Sequence, residues 1–237
     1  MSDSPVSLIT GASRGIGEAI AIKLATEGHA LALCGRDEAR LRALTLKIKE
    51  MGNNVEFYCV DVTDPFSVIQ TVDVIQSEFG RIDNLVNNAG LGIFKKFTES
   101  SLNEFKNQMD VNMYGVYSFT RAVVDGMITR KEGSIINVVS MAGKDGFVSG
   151  TMYCATKHAV IGFSKSLMLE LREYNIRVSS ICPGSTQTEM IADAPFRPIN
   201  MNTILQPEDV AEVVSTVIKL PIEANVSELE IRPTNPK

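Results

Sequence analysis

In the stretch TMYCATKHAVIGF, Thr151 to Phe163, a phenol and an ammonium stand four residues apart. With about 3.6 residues per helical turn, Tyr153 and Lys157 share one helix face. A free phenol titrates at about 10, a poor match to acid–base work at neutral pH. A cation beside it favours the phenolate and is expected to lower that value. Such a phenol could give a proton to a carbonyl oxygen or take one from an alcohol. The pair is ordinary helix surface unless the rest of the chain brings a reactive partner to it.

The elements that would position this pair can be read from hydrophobic pattern. Short apolar runs at 6–10, 30–34, 55–60, 84–88, 134–140, 177–183 and 227–233 alternate with helical patterns at 15–28, 37–51, 65–79, 101–130 (broken once), 151–173 and 207–219. Most of the short runs lack polar–apolar alternation, as parallel strands buried on both faces do. The β–α alternation predicts an α/β fold: one domain over 1–237, with a doubly wound parallel sheet and helices on both faces. Asp64 before Pro65, and Pro207 followed by Glu208 and Asp209, mark helix starts. Gly52 suits a left-handed helix end. On this fold Ser140 falls at the carboxyl end of the fifth strand, where open α/β sheets bind ligands. Its hydroxyl could hold the same substrate oxygen and stabilise negative charge developing there.

The first strand runs into TGASRGIGEAIAIKLATEG. Gly11, Ser13, Arg14, Gly15, Ile16 and Gly17 form a turn and helix start, where glycines let backbone N–H groups approach a pyrophosphate. The spacing is G-x-x-x-G-x-G rather than the general dinucleotide fingerprint G-x-G-x-x-G. Ile16, Ile20, Leu24 and Ala25 make the stripe that would face the sheet. The second strand ends LCGRDE, with Gly35 where NAD sites carry an acid for the ribose hydroxyls, followed by Arg36. Arg36 and Arg14 favour a 2′-phosphate and hence NADP(H) over NAD(H). Asp37 either opposes this or is simply the N-cap of the next helix. Asp61 could bond an adenine amino group while Val62 packs on the ring; alternatively Asp61 caps a helix. Asn87, Ala89 and Gly90, in NNAG, offer small residues that admit a ribose and amides that tie neighbouring strands.

Composition narrows the function classes. Hydrophobic residues make up 44% and the net charge is −5, so the balance favours neither nucleic acid nor an anionic membrane as partner. Cys34, Cys59, Cys154 and Cys182 show no C-x-x-C spacing and read as small buried hydrophobes. His29 and His158 belong to no metal cluster, so no metal is expected. No basic, apolar leader opens the sequence, and no apolar run approaches the roughly 20 residues that span a bilayer. The expectation is a cytoplasmic protein without disulfides.

Taken in order, TGASRGIG, the DV at 61–62, NNAG, the VN at 111–112, SIINVVS, YCATK and the PG at 183–184 resemble the short-chain dehydrogenases/reductases, from residue 8 to about residue 188. The resemblance implies a Rossmann-type, seven-stranded sheet in the order 3-2-1-4-5-6-7 and a nicotinamide cofactor. It implies a catalytic tetrad of Asn112, Ser140, Tyr153 and Lys157, with Lys157 also bonding the nicotinamide ribose. Asn112 would hold a water that links Lys157 to solvent. Pro183 and Gly184 would turn the chain close to the nicotinamide, and Thr188 would bond its carboxamide. A homodimer or homotetramer is implied, through the helices at 101–130 and 151–173. The ending, SELEIRPTNPK, is abbreviated and similar to sepiapterin-reductase-like and 3-oxoacyl-carrier-protein-reductase-like members.

The substrate side is expected from Leu91–Phe94, Met141–Phe147 and a segment at 189–205. That segment carries Met190, Ile191, Pro195, Phe196, Pro198, Ile199, Met201 and Ile204, and reads as a mobile lid or as packing against the domain or a neighbouring subunit. No obvious cationic clamp for a carboxylate or phosphate stands out; Lys95, Lys96, Lys144 and Arg197 are the cations left open for that role. The leading reading is an NADP(H)-dependent reductase of a small, largely apolar ketone or aldehyde, a pterin side-chain ketone or a 3-oxoacyl thioester being candidates. The alternative is a nucleotide-binding sensor or scaffold of the same fold without turnover.

Overall fold

The computed structural model describes residues 4–192, 194 and 203–235. Seven strands form one wholly parallel sheet: β1 (Val6–Thr10), β2 (Ala30–Gly35), β3 (Val55–Cys59), β4 (Asn84–Asn87), β5 (Gly133–Val138), β6 (Ile176–Pro183) and β7 (Glu228–Ile231). Their order across the sheet is β3-β2-β1-β4-β5-β6-β7. The strand order reverses between β1 and β4, so the crevice lies beside the carboxyl ends of these strands.

Among the described residues, eight α-helices connect and cover the strands: α1 (Gly15–Thr26), α2 (Glu38–Glu50), α3 (Pro65–Phe79), α4 (Leu102–Met109), α5 (Gly115–Arg130), α6 (Thr151–Leu171), α7 (Glu189–Ala192) and α8 (Pro207–Lys219). Adjacent strand residues point to opposite sides, and both sides are buried. Ile9, Leu33, Val86 and Ile136 pack with Ile20, Leu24, Leu41, Ile48, Val210 and Val214 of α1, α2 and α8. Leu8, Leu85, Ile135 and Val178 pack with Val72, Ile75, Phe119 and Met127 of α3 and α5. Two apolar layers explain why the strands read as continuous apolar runs.

Helix ends follow local chemistry. Asp64 accepts from the N–H groups of Phe66 and Ser67, with Pro65 opening α3. Gln206 and Asp209 form a reciprocal box at the start of α8, and Gly52 follows α2 at φ +87°. Asp37 caps α2 by accepting from Arg40 N at 3.1 Å. At the other end of α8, Arg177 donates to the carbonyls of Ile218 and Leu220. This satisfies acceptors that a helix C-terminus leaves over.

The single break expected in the pattern over 101–130 is a π-helical turn, Asp110–Tyr114, between α4 and α5. One expectation changes. Cys59 is exposed whereas Cys34, Cys154 and Cys182 are buried, because Cys59 ends β3 at the sheet edge, where no further strand covers it. Among the described residues, no helix is long and apolar enough to cross a membrane. Of the segment at 189–205, Pro195, Phe196, Arg197, Pro198, Ile199 and Met201 lie outside the described residues.

Candidate active site

The glycine turn is a crowded place. Gly11 and Gly15 adopt φ of +64° and +58°, which favour glycine. A Cβ on Gly11 would lie 2.8 Å from Ala89 Cα, and one on Gly17 would lie 2.2 Å from the Gly11 carbonyl oxygen. Asn88 fastens this turn to the end of β4: its Nδ2 donates to the carbonyls of Thr10 and Gly11, each at 3.1 Å, and its N–H donates to Thr10 Oγ1. Arg14, the residue before α1, makes no side-chain cap. The first N–H groups of a helix have no intrahelical acceptor, so this uncapped turn, kept open at Gly11, Gly15 and Gly17, suits a pyrophosphate. Ser13 is half-buried in the same turn, and Ile16 lines the cavity beside it. These residues fit a dinucleotide.

Around the expected adenosine end, Arg36 is exposed and its Nη1 lies 3.6 Å from Asp61 Oδ2. Asp61 itself accepts from the N–H and hydroxyl of Thr63, so its carboxylate is held at the turn before α3. These bonds, with Arg36, draw its pKa below the usual range despite partial burial. Val62 is buried, and a Cβ on Gly115 would come within 2.8 Å of its Cγ2. Arg14 pairs not with Arg36's neighbours but with Glu189, and Arg40 reaches the same carboxylate at 2.7 Å. Neither Arg40 nor Glu189 stands out in the sequence; their separation by 149 residues hides the pair. Asn87 is fully engaged inside the core. Its Nδ2 donates to Thr120 Oγ1 at 3.2 Å and Asn137 Oδ1 at 2.9 Å, and Asn137 donates on to Ser164 Oγ at 2.8 Å. Its amide therefore ties β4, β5, α5 and α6 together, and Ala89 and Gly90 are what β4 presents to the crevice.

The four residues of the expected tetrad converge. A Cβ at Gly90 would lie 3.5 Å from Asn112 Oδ1 and 3.8 Å from Lys157 Nζ. Lys157 Nζ stands 5.7 Å from the centroid of the Tyr153 ring and 3.4 Å from the Val138 carbonyl, to which it donates. Ser140 lines the same cavity as Tyr153 and accepts from Ala142 N at 3.1 Å. Asn112 sits in the π-turn, a distortion that often marks a functional position. Its Oδ1 accepts from Leu91 N at 2.7 Å, while its Nδ2 donates to Leu91 O at 2.8 Å and Thr156 Oγ1 at 3.0 Å. Both side-chain amide protons are used, so this side chain could hold a water only on the remaining Oδ1 lone pair. The main task of this side chain is to pin the chain after NNAG to α6.

The electrostatics reverse the simple expectation. Tyr153 and Lys157 are both buried. Burial pushes the phenol up to about 12, with the Ser140 hydroxyl opposing it. Burial pushes the ammonium down to about 8. Loss of water around each group sets the direction of both shifts. At neutral pH the phenol keeps its proton and can act as a donor.

A cavity of about 430 Å³ opens on this constellation. Ile16, Ser140, Tyr153, Pro183, Gly184 and Thr188 line it on the side of the glycine turn and the expected tetrad, with Ser140, Tyr153 and Thr188 supplying hydroxyls. Phe94, Met141, Phe147, Val148, Met190 and Ile191 make the rest largely apolar. Phe94 meets the Tyr153 ring edge-on at 5.2 Å and Phe147 at 6.0 Å. Of the cations considered as clamps, Lys144 is tied to Glu228 and Glu230, and Lys95 to Glu104.

This geometry has close relatives. The model of the short chain dehydrogenase family matches residues 5–196. An uncharacterized oxidoreductase of Staphylococcus saprophyticus is 36% identical over 229 residues, 96% of this chain and 97% of that one. A putative ketoacyl reductase of the monensin polyketide synthase from Streptomyces virginiae is 42% identical over 194 residues, 80% of this chain and 73% of the relative. The structure of an alcohol dehydrogenase from the archaeon Thermococcus sibiricus, complexed with 5-hydroxy-NADP, superposes with a TM-score of 0.90 at 33% identity, covering 98% of this chain and 97% of that one. Fold, glycine turn and relatives agree, and the chain belongs to the short chain dehydrogenase family of oxidoreductases.

Proposed function

We propose that the protein is an NADP(H)-dependent reductase of small, largely apolar ketones or aldehydes, with Tyr153 as the acid. The observation that carries this reading is the buried Tyr153–Lys157 pair, with Tyr153 and Ser140 lining one largely apolar cavity beside the glycine turn. The bound dinucleotide would supply a hydride to the carbonyl carbon. The Tyr153 hydroxyl donates its proton to the carbonyl oxygen as negative charge develops there. Ser140 donates a hydrogen bond to the same oxygen and fixes the carbonyl in the direction of Tyr153. Lys157, largely protonated at neutral pH with a pKa of about 8, supplies a positive field under the phenol. It also bonds the cofactor's ribose. Thr188, Pro183 and Gly184 orient the nicotinamide from the opposite wall.

Gly11, Ser13, Arg14, Gly15, Ile16 and Gly17 hold the pyrophosphate, and Asp61, Val62, Ala89 and Gly90 hold the adenosine side. Arg14 and Arg36 favour a 2′-phosphate, in keeping with the NADP-type ligand of the Thermococcus neighbour. The aromatic wall of Phe94 and Phe147 and the tied-up lysines favour an apolar substrate, of which the 3-oxoacyl thioesters suggested by the Streptomyces relative are one class. Self-association would use the exposed Leu102, Tyr114, Tyr117 and Leu169 of α4 to α6.

The test mixes the protein with NADPH and a panel of ketones and aldehydes and follows loss of NADPH absorbance. Turnover should fall by at least about 10³-fold in Tyr153→Phe, while NADPH binding stays within about twofold. A Tyr153→Phe variant with wild-type turnover removes the mechanism. Cofactor binding without turnover of any carbonyl would favour the sensor reading.

A further inference from the structure

Glu189 is not accounted for by the roles assigned so far. It opens α7, yet its carboxylate lies between two guanidiniums from separate parts of the sheet edge. Arg14 Nη1, at the entry to α1, donates to Oε2; Arg40 Nη1, in the first turn of α2, donates to Oε1 at 2.7 Å. Their chain separations are 175 and 149 residues, so the bridge links the ends of β1 and β2 to the wall after β6. The side chains of Arg14, Glu189 and Arg40 are 59%, 53% and 45% exposed. An ion pair this open to water contributes little to stability, so it can exchange for another anion at small cost. The exchange also has a direction. Two guanidinium forks are converging on one carboxylate of charge −1, whereas a phosphate monoester offers a charge between about −1.5 and −2 and three acceptor oxygens.

We propose that Glu189 is an internal counter-anion of the 2′-phosphate subsite. It holds Arg14 and Arg40 together, is displaced when a 2′-phosphorylated dinucleotide binds, and weakens that binding selectively. Arg40 then joins Arg14 as a specificity-determining residue, while Arg36 is paired with Asp61 at 3.6 Å. This rests on the cofactor reading above. It also couples two parts of the site. Glu189 follows Thr188, whose Cγ2 would lie 3.2 Å from a Cβ on Gly15, and precedes Met190 and Ile191 of the cavity wall. Releasing Glu189 from the arginines frees the first turn of that wall.

Calorimetric titration of the full chain with NADPH, NADH and 2′,5′-ADP tests the proposal without any turnover. Glu189→Gln should bind NADPH and 2′,5′-ADP about 3- to 10-fold more tightly and NADH within about twofold of wild type. Arg40→Ala should weaken NADPH about 10-fold and leave NADH unchanged. An unchanged NADPH:NADH ratio in Glu189→Gln, with a wild type that prefers NADPH, overturns this inference alone. A wild type without preference for NADPH overturns both the inference and the cofactor reading beneath it.

Discussion

Replacing Lys157 by Met should make the free protein more stable while ending its turnover. The lysine is 5% exposed and donates to one backbone carbonyl, Val138 O, at a long 3.4 Å. Its pKa falls from 10.5 to about 8 because burial penalises the ammonium. A shift of roughly 2.5 units corresponds to about 3 kcal/mol against the folded state at pH 7. Methionine has a similar length and no charge, so most of this should be recovered, less the weak hydrogen bond. The sign can be checked through pH. Below pH about 8 the lysine is protonated in both states and the penalty is complete. Between about 8 and 10.5 it is protonated only when unfolded, so the wild type gains stability as pH rises. By pH about 9.5 the wild type should have regained about 2 kcal/mol relative to the variant. Urea unfolding of both proteins at the two pH values measures the difference. Equal stability at pH 7, or an advantage for the variant that does not shrink at the higher pH, would refute the reasoning that burial of this ammonium costs the free protein stability.

Gly17→Ala should be among the most damaging single-methyl changes, because its Cβ would sit 2.2 Å from the Gly11 carbonyl oxygen and 2.5 Å from Asn88 Nδ2, both fixed by the turn; thermal melting should drop and NADPH titration should show binding weakened by at least about tenfold. Asn137→Ala removes the acceptor of Asn87 and the donor to Ser164, and denaturant unfolding should show a loss of about 1–3 kcal/mol; a loss under a few tenths would mean that the buried amides are not paired as described. Ser140→Ala should lower kcat about 10²- to 10³-fold while barely moving the Kd for NADPH, as read by steady-state kinetics beside cofactor titration.

Sequence pattern located the elements well wherever the cause was local. The α3 limits at 65–79 and the α8 limits at 207–219 match because a capping residue and a proline act within a few positions of themselves. The all-parallel sheet was legible because two apolar faces leave continuous runs. What the pattern missed depends on distant neighbours. Nothing in LCGRDEAR identifies Arg40, rather than Arg36, as the partner of a carboxylate 149 residues away. Apolarity around Cys59 resembles that of the buried cysteines, since sheet-edge position is a property of strand order and not of the strand. The direction of the Tyr153 shift depends on how much water the fold removes, which i, i+4 spacing cannot report.

The π-turn at Asp110–Tyr114 has a consequence for how this site tolerates length changes. A π-turn takes up about one more residue than the α-helix around it, so α4 and α5 keep their faces while the widened turn carries Asn112 to the Leu91 backbone it clasps. Deleting one residue between α4 and α5 would let the ladder wind regularly with little rotation of either helix, and would withdraw Asn112 from that backbone. One surplus residue thus serves as a local outward step between two otherwise ordinary helices, and a single-codon deletion there should cost more than many substitutions nearby.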